Sequence, residues 1–308
     1  MAPDIKYIWL DGQLVEYAKA TIPFMSSTVQ YGIGAFEGIR CYDTDRGPAV
    51  FRLREHMVRL FDSAHILGFK GLPHTLDELI QATKDTIKAN GLTSCYIRPL
   101  VYHDNQSGSL NLDHGPAKVG IAAWYWGAYL GEDALEKGVR ANISSFTRHH
   151  PNVMLTKAKV SGNYVNSLLA KTESVRLGFE EAIMLDPQGY VAECTGENLF
   201  IVRHGKIYTT QTHTILEGIT RDSVFALAAD EGYEVIEQPI SRDQLYIADE
   251  VFVCGTAAEV IGVREIDFRV IGSGSRGPVT HKLQQAFHAA ITGKHPRSAG
   301  WLDYVNPA

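Results

Sequence analysis

Glu193-Cys-Thr-Gly-Glu-Asn-Leu-Phe200 and, before it in the chain, Lys159-Val-Ser-Gly-Asn-Tyr164 are the two most informative segments of this sequence. A lysine amine can form a Schiff base with an aldehyde cofactor, and a tyrosine hydroxyl can hydrogen-bond the ring oxygen beside that imine. A carboxylate can hold a pyridine nitrogen in its protonated form. The two stretches therefore contain the three groups that a cofactor acting as an electron sink requires from its protein.

The residues alone leave two of these assignments open. Lys157 lies two positions from Lys159 and would share a face with it in an extended segment. Glu197 competes with Glu193 as the partner of a ring nitrogen, and an exposed carboxylate near a turn is the ordinary role for such a residue. Composition does not choose between the two lysines.

The composition is that of a globular protein with a sizeable core. The chain has 308 residues, 45% of them hydrophobic, which is enough for two domains. Its 29 lysines and arginines against 35 aspartates and glutamates give a net charge of −6, and no run of like charges stands out. This pattern argues against a nucleic-acid groove or an anionic membrane surface and favours a small-molecule substrate.

Several features predict a cytoplasmic protein. No apolar run approaches the length of a membrane span, and Met1-Ala-Pro-Asp-Ile-Lys6 lacks the charged and then apolar pattern of a signal peptide. The four cysteines, Cys41, Cys95, Cys194 and Cys254, are scattered, without a Cys-x-x-Cys motif or a histidine at metal-ligand spacing. We therefore expect four free thiols and no metal site.

The first 126 residues are predicted to form a small α+β domain. It begins with two short strands joined at Asp11-Gly12, a strong hairpin signal. Apolar positions at the helical period predict helices over 53–67 and 76–89. Branched and aromatic residues predict strands over 96–102 and 118–126.

An interdomain loop over 127–138 is predicted to lead into a larger, β-rich domain over 139–308. It should contain a strand over 139–146 and hairpin turns at Pro187-Gln-Gly189 and His204-Gly205. Its helices are predicted over 163–177, 220–231 and 279–291. The glycines of 32–38 and 272–277 match no dinucleotide or nucleotide phosphate loop, and both stretches are interpreted as turns.

Both opening motifs, with their separation, resemble those of the branched-chain amino-acid aminotransferases of pyridoxal-phosphate (PLP) fold type IV, in the class IV aminotransferase family. The resemblance runs over almost the whole chain. It implies an α+β fold with a smaller N-terminal α/β domain, a larger β-rich C-terminal domain and PLP at their interface. It also implies a homodimer, or a higher oligomer of dimers.

The implied reaction is amino-group transfer between leucine, isoleucine or valine and 2-oxoglutarate, in two ping-pong half-reactions. Two other enzyme activities on the same fold remain as alternatives, transfer from D-amino acids or R-amines and aminodeoxychorismate lysis. A rival of another class is a protein that binds PLP without turnover.

The resemblance assigns Lys159 as the catalytic, cofactor-bearing lysine and Glu193 as the partner of the ring nitrogen. Tyr164 is assigned to the ring oxygen. The remaining cofactor residues share a contact with the phosphate, and they are Arg59, Ile219, Thr220 and Thr256. A helix that begins at residues 219–220 would offer its N–H groups to an anion.

The resemblance also implies an aromatic substrate pocket. Its members are Tyr31, Phe36, Tyr96, Arg98, Trp126, Tyr129, Thr256 and Ala257. Arg98 is assigned to the distal carboxylate of glutamate, and Tyr96 with the Thr256 and Ala257 amides to the substrate α-carboxylate. The chain departs from the pattern at Glu217, where many relatives have proline, and in the loop 103–113, which leaves the substrate range open.

Overall fold

The computed structural model describes residues 4–113, 115–127, 130 and 133–306. The chain divides into two compact units. The first unit comprises Met1–Trp126, Lys157–Asn163 and Ala290–Ala308, and the second comprises Gly127–Thr156 and Tyr164–Ala289.

This division differs from the two continuous domains predicted from sequence. Lys157–Asn163 belongs to the first unit. Its backbone pairs there, since the N–H of Phe36 donates to the carbonyl of Lys159 at 3.0 Å and Val160 forms a bridge with Ala35. Long-range backbone pairing of this kind leaves no mark on the local sequence.

The strands, in chain order, are β1 (Tyr7–Leu10), β2 (Gln13–Glu16), β3 (Gly34–Phe36), β4 (Ile39–Thr44), β5 (Gly47–Phe51), β6 (Cys95–His103), β7 (Ala117–Trp124), β8 (Val139–Ile143), β9 (Glu181–Leu185), β10 (Val191–Cys194), β11 (Asn198–Arg203), β12 (Lys206–Thr209), β13 (Val235–Glu237), β14 (Glu250–Gly255), β15 (Glu259–Ile266), β16 (Arg269–Val270) and β17 (Leu302–Tyr304). The α-helices are α1 (Ser27–Tyr31), α2 (Leu53–Ile66), α3 (Leu76–Ala89), α4 (Ala134–Lys137), α5 (Tyr164–Arg176), α6 (Ile219–Asp230), α7 (Arg242–Tyr246), α8 (Pro278–Ile291) and α9 (Ser298–Trp301).

The first unit is built on an antiparallel sheet. Its strands follow the order β17-β5-β4-β6-β7-β1-β2, and β3 pairs with β6. The apolar face of α2, with Leu53, Met57 and Leu60 fully buried, packs into the core with Ile97 and Ile121 of the sheet. Burying such side chains contributes about 1.5–3 kcal/mol each, which holds the helix against the sheet.

Local signals account for α3. Thr75 accepts a hydrogen bond from the backbone N–H of Glu78, and the Glu78 side chain accepts one from the backbone N–H of Thr75. This capping box satisfies N–H groups that have no partner inside the helix. Asn90 ends the helix, and Gly91 follows with φ 67°, a conformation that glycine adopts without strain.

The second unit is built on a mixed sheet with the order β10-β9-β8-β15-β14-β11-β12-β13, and β16 pairs with β15. β8 runs parallel to both β9 and β15, and β12 parallel to β13, whereas the other pairs are antiparallel. Phe200 of β11 and Phe252 of β14 stack directly, with ring centroids 4.9 Å apart and an interplanar angle of 2°. The hairpin between β9 and β10 carries the Glu193 segment.

Most predicted elements are confirmed. The hairpin at Asp11-Gly12, the turns at 187–189 and 204–205, and the helices near 53–67, 76–89, 163–177, 220–231 and 279–291 all form. The stretch 272–277 is a turn region as predicted.

Other expectations need correction. The predicted loop 127–138 contains the short helix α4, which ends at Gly138 with φ 75°. The stretch 32–38 contains β3 rather than only turns, because Gly34 lets the chain approach Val101 of β6 so closely that a Cβ would lie 3.0 Å from its carbonyl oxygen. α1, β4 and β5 were not predicted.

Among the described residues, no helix is both long enough and apolar enough to cross a lipid bilayer.

Candidate active site

The structure separates Lys159 from its competitor Lys157 by burial. Lys157 is exposed and Lys159 is half-buried. The backbone N–H of Lys159 donates to Ser63 Oγ of α2 at 3.0 Å, and its amine lies 5.0 Å from the ring centroid of Phe36. Lys159 is therefore held on both sides by the first unit, with its amine over an aromatic face.

Arg59 lies near this lysine's anchor on α2 and is held by a buried carboxylate. Arg59 Nε donates to Glu37 Oε1 at 2.6 Å and its Nη2 donates to Glu37 Oε2 at 2.9 Å. Glu37 is fully buried, and His56 Nδ1 lies 2.8 Å from its Oε2. The three side chains form one hydrogen-bonded cluster.

The protonation states in this cluster follow from its neighbours. Burial alone would raise the pKa of Glu37, but the Arg59 charge and the hydrogen bond from His56 outweigh it and hold that pKa below its ordinary value. Burial lowers the pKa of His56, although its contact with Glu37 opposes this. At neutral pH we therefore expect an ionised Glu37, a neutral His56 and an Arg59 guanidinium whose positive charge is balanced by the Glu37 carboxylate.

The aromatic residues predicted for the substrate lie together in part. Arg98 carries its guanidinium 4.7 Å over the Phe36 ring and 5.3 Å over the Tyr96 ring. Trp126 packs edge-on against Tyr96, with centroids 4.5 Å apart. A Cβ on Gly38 would lie 2.0 Å from Tyr96 Oη, so glycine is required for this arrangement.

Tyr31 contacts a loop of the first unit. It is 50% exposed, and its hydroxyl donates to the carbonyl of Gly108 at 2.9 Å. The contact ties Tyr31 to the loop 103–113, in which Leu110 is 82% exposed. Tyr129 lies outside the described residues.

Glu193 of the second unit is buried and held at both carboxylate oxygens. Arg148 Nη2 lies 2.7 Å from Oε1, and Asn198 Nδ2 donates to Oε2 at 3.2 Å. Asn198 also donates to the carbonyl of Leu216 at 3.0 Å. These contacts fix the orientation of the carboxylate.

The competitor Glu197 has a different electrostatic setting. Burial and the nearby Glu181 carboxylate raise the pKa of Glu197 to about 8. Glu181 itself is paired with Lys171 and accepts a hydrogen bond from Thr195 Oγ1 at 2.6 Å. Glu197 is therefore mostly protonated at neutral pH, whereas Glu193 faces a guanidinium.

The N-terminus of α6 offers a place for an anion. Its N-cap residue is Gly218, which provides no side-chain cap, and Ile219 and Thr220 are buried in the first turn. A Cβ on Gly218 would lie 2.2 Å from Asn198 Oδ1, so this approach also requires glycine. The helix dipole favours a negative charge at this end of the helix.

The other predicted residues of the second unit occupy the ends of elements. Thr256 and Ala257 are half-buried in the turn that joins β14 to β15. Tyr164 is half-buried at the first position of α5. Glu217, the residue that departs from the family pattern, is exposed.

Sequence reasoning missed four partners of these residues: Glu37, His56, Arg148 and Asn198. One signal was available, since His56 occupies the apolar face of α2 among Leu53, Met57 and Leu60. A polar residue in that position needs a buried partner. Nothing in the local sequence distinguishes Arg148.

The similarity of this chain to known proteins identifies its family. The family described as amino-transferase class IV matches residues 34–266. A branched-chain-amino-acid aminotransferase of Pseudomonas aeruginosa is 49% identical over 298 residues, which cover 97% of each chain. This chain belongs to the branched-chain aminotransferases of class IV. The Escherichia coli K12 relative is also 49% identical, again with 97% of each chain covered.

Solved structures of this family share the fold of the chain, fold type IV. The Escherichia coli branched-chain amino acid aminotransferase superposes with a TM-score of 0.95 at 47% identity, over 98% of this chain and 100% of that one. The enzyme from T.th., solved as a complex with N-(5'-phosphopyridoxyl)-L-glutamate, gives 0.95 at 49% identity, over 99% and 100%. The same enzyme has been solved with pyridoxamine 5'-phosphate.

Proposed function

We propose that this chain is a PLP-dependent aminotransferase that exchanges the amino group between leucine, isoleucine or valine and 2-oxoglutarate. The observation that carries the proposal is the 49% identity to branched-chain-amino-acid aminotransferases over 97% of both chains. The products are the branched-chain 2-oxo acids and L-glutamate.

The described residues fit this cofactor. Gly218 leaves the first turn of α6 without a side-chain cap, which suits a phosphate, and Glu193 is a buried carboxylate of fixed orientation. Lys159 is the half-buried member of the lysine pair. When bound, PLP supplies an electron sink for the pair of electrons left at the substrate Cα after deprotonation.

Lys159 carries the proton in this scheme. Its amine would provide the covalent attachment for the resting cofactor, and once released it would be the base that takes the proton from the substrate Cα and delivers it to the cofactor carbon. Ser63 and the backbone of Phe36 fix the Lys159 main chain, so the amine moves by side-chain rotation about a fixed backbone position.

Glu193 and Tyr164 hold the ring. The Glu193 carboxylate would accept a hydrogen bond from the protonated ring nitrogen, and Arg148 and Asn198 keep that carboxylate in place. Tyr164 donates its hydroxyl to the ring oxygen. Fixed groups of this kind stabilise developing charge without reorganising during the reaction.

The phosphate is assigned to Arg59, Ile219, Thr220 and Thr256. A guanidinium supplies charge-assisted hydrogen bonds, and the α6 N-terminus supplies backbone N–H groups. The Glu217 side chain is exposed, so its carboxylate is compatible with an anion at the start of this helix.

The substrate side chain is assigned to the aromatic residues Phe36, Tyr96 and Trp126, and the family resemblance also assigns Tyr31 and Tyr129 to its binding. An apolar surface accepts a branched aliphatic side chain by burial. Arg98 binds the distal carboxylate of glutamate, while Tyr96, Thr256 and Ala257 bind the α-carboxylate. One pocket then serves two unlike donors.

We further propose that the protein works in the cytoplasm as a homodimer or as an oligomer of dimers. The family resemblance supports the dimer.

The test is a half-reaction panel followed by absorbance, in which the PLP-loaded enzyme meets one amino donor at a time. Leucine, isoleucine, valine and glutamate should each convert the cofactor to pyridoxamine 5'-phosphate. D-amino acids and R-amines should not. Conversion by D-alanine or an R-amine but not by leucine would contradict the proposal, and no conversion by any donor would indicate a PLP-binding protein without turnover.

A further inference from the structure

We propose that Glu37 is a positioning residue for cofactor binding. It orients the Arg59 guanidinium toward the phosphate and fixes the position of Arg59 relative to Lys159. This inference rests on the role proposed above for Arg59. It adds a residue outside the assigned set and explains why a carboxylate sits beside an anion-binding group.

The geometry is that of a two-point clamp. Nε and Nη2 of Arg59 both donate to Glu37, at 2.6 and 2.9 Å, so the pair is bidentate. Two parallel bonds fix the plane of a guanidinium, whereas one bond lets it rotate. The edge that carries Nη1 is therefore turned away from Glu37.

Glu37 is itself held from three other directions. His56 Nδ1 lies 2.8 Å from Oε2, and the backbone N–H of Gly38 donates to the same oxygen at 3.2 Å. The backbone N–H of Glu37 donates to the carbonyl of Pro99 on β6 at 3.0 Å. With 0% exposure, the carboxylate is shielded from bulk solvent.

The end of strand β3, next to Glu37, also holds the segment that contains Lys159. Phe36, the residue before Glu37, donates its backbone N–H to the carbonyl of Lys159 at 3.0 Å. Arg59 and Lys159 are thus bonded to two consecutive residues at the end of β3, Glu37 and Phe36. A cofactor held at its phosphate and at its aldehyde carbon needs this spacing to be fixed.

A counter-charge role would predict the opposite effect on binding. A carboxylate that acts only through space repels a phosphate, so removing its charge should strengthen binding of the phosphate. A clamp that acts through Arg59 should weaken binding when it is lost. The two roles therefore differ in sign.

The experiment measures dissociation constants of pyridoxamine 5'-phosphate and of pyridoxamine with the full-length apoenzyme. Neither ligand forms a bond with Lys159, and the preference for the phosphorylated ligand, the ratio of the second constant to the first, isolates the phosphate. Arg59→Met should reduce this ratio by roughly 10- to 150-fold, the range of a lost charge-assisted hydrogen bond. Glu37→Gln should reduce it on the order of tenfold and leave pyridoxamine binding almost unchanged.

The double variant Arg59→Met/Glu37→Gln closes the cycle. If Glu37 acts through Arg59, the double variant should match Arg59→Met. A ratio unchanged in Arg59→Met would overturn the role of Arg59 itself. A normal Arg59→Met effect with an unchanged or increased ratio in Glu37→Gln would overturn the inference alone.

Glu37→Asp serves as the second variant in case Glu37→Gln does not fold. It keeps the negative charge but shortens the side chain by one methylene, so it should also lower the ratio. His56→Gln is the matched control, because it perturbs the same buried cluster without touching either bond to Arg59. Equal losses in the ratio for His56→Gln and Glu37→Asp would mean that the cluster is only structural.

Discussion

At the residue scale, the site depends on pairs of like residues placed in unlike surroundings. Lys157 and Lys159 differ in exposure, and Glu193 and Glu197 differ in the charge that each one faces. Environment, and not residue type, sets what each side chain can do in catalysis.

Replacing the two lysines tests the first pair. Lys159→Ala should abolish transamination, because no other assigned group can carry the Cα proton, while Lys157→Ala should keep near-normal turnover. Borohydride reduction of the loaded wild type followed by peptide mapping should place the cofactor on Lys159. Recovery of the label on Lys157 would reverse the assignment.

Replacing the two glutamates tests the second pair. Glu193→Gln should lower kcat by about 100- to 1000-fold, since a neutral amide cannot balance a charged ring nitrogen. Glu197→Gln should change kcat little at pH 7, because this carboxyl has its pKa raised to about 8 by burial and by Glu181. Similar losses in the two variants, measured at saturating leucine, would contradict the distinction.

Arg98 tests the two-donor pocket. Arg98→Met should lower kcat/KM for glutamate by roughly 10- to 150-fold, because a charge-assisted hydrogen bond contributes about 1.5–3 kcal/mol. The kcat/KM for leucine should change little, since its side chain has no hydrogen-bond acceptor for the guanidinium. Both donors are measured on one preparation, which cancels folding and cofactor loading. Equal losses would mean that Arg98 is structural or binds the α-carboxylate.

At the element scale, the helices of the first unit combine local capping with distant packing. The Thr75 and Glu78 side chains satisfy the first turn of α3. The buried face of α2 carries His56 toward Glu37. A helix therefore serves both as a wall of the core and as the support of a site residue.

The capping box gives an element-scale prediction. Thr75→Ala should lower the free energy of unfolding by about 0.5–2 kcal/mol, the usual effect of losing an N-cap side chain. Thr172→Ala is the control, because Thr172 lies within α5, where its hydroxyl donates a hydrogen bond to the carbonyl of Leu168 and caps no helix. Urea unfolding should show the loss in Thr75→Ala alone, with kcat unchanged. An equally stable Thr75→Ala protein would show that packing alone holds α3.

At the scale of the whole molecule, stability should depend on pH through buried groups whose pKa values are shifted in opposite directions. The folded-state pKa of Glu197 is raised to about 8, so its stabilising contribution is complete below the unfolded value near 4.5 and is lost as the pH rises through 8. His56 has a lowered folded-state pKa, so the folded state loses stability as the pH falls below 6.5. Glu37, whose pKa is also lowered, adds to the loss in acid.

Glu197→Gln isolates the alkaline part of this dependence. Above about pH 6.5, where the opposing contribution of His56 ends, the wild type should lose stability as the pH rises to about 8, with a limiting slope of about 1.4 kcal/mol per pH unit for one proton. Glu197→Gln should remove this slope and leave the acid side unchanged. The midpoints of urea unfolding across pH measure both, and an unaltered alkaline slope would place the titration on another group.

Much of the fold and of the candidate site followed from local patterns. Helical periodicity located α2, α3, α6 and α8, because the buried face of an amphipathic helix requires apolar residues at every third or fourth position. Asp11-Gly12 located the first hairpin, because few other residues adopt its turn. The two opening motifs identified the family and the residues expected to hold its cofactor.

The positions of the distant segments and the partners of the site residues became visible in the folded chain and not in the sequence. Lys157–Asn163 joins the first unit through bonds to residues more than a hundred positions earlier, and β17 pairs with β5 in the same way. The clamp of Glu37 on Arg59 and the contact of Arg148 with Glu193 are also non-local. Burial and charge pairing arise from the folded chain, so a sequence specifies them without displaying them.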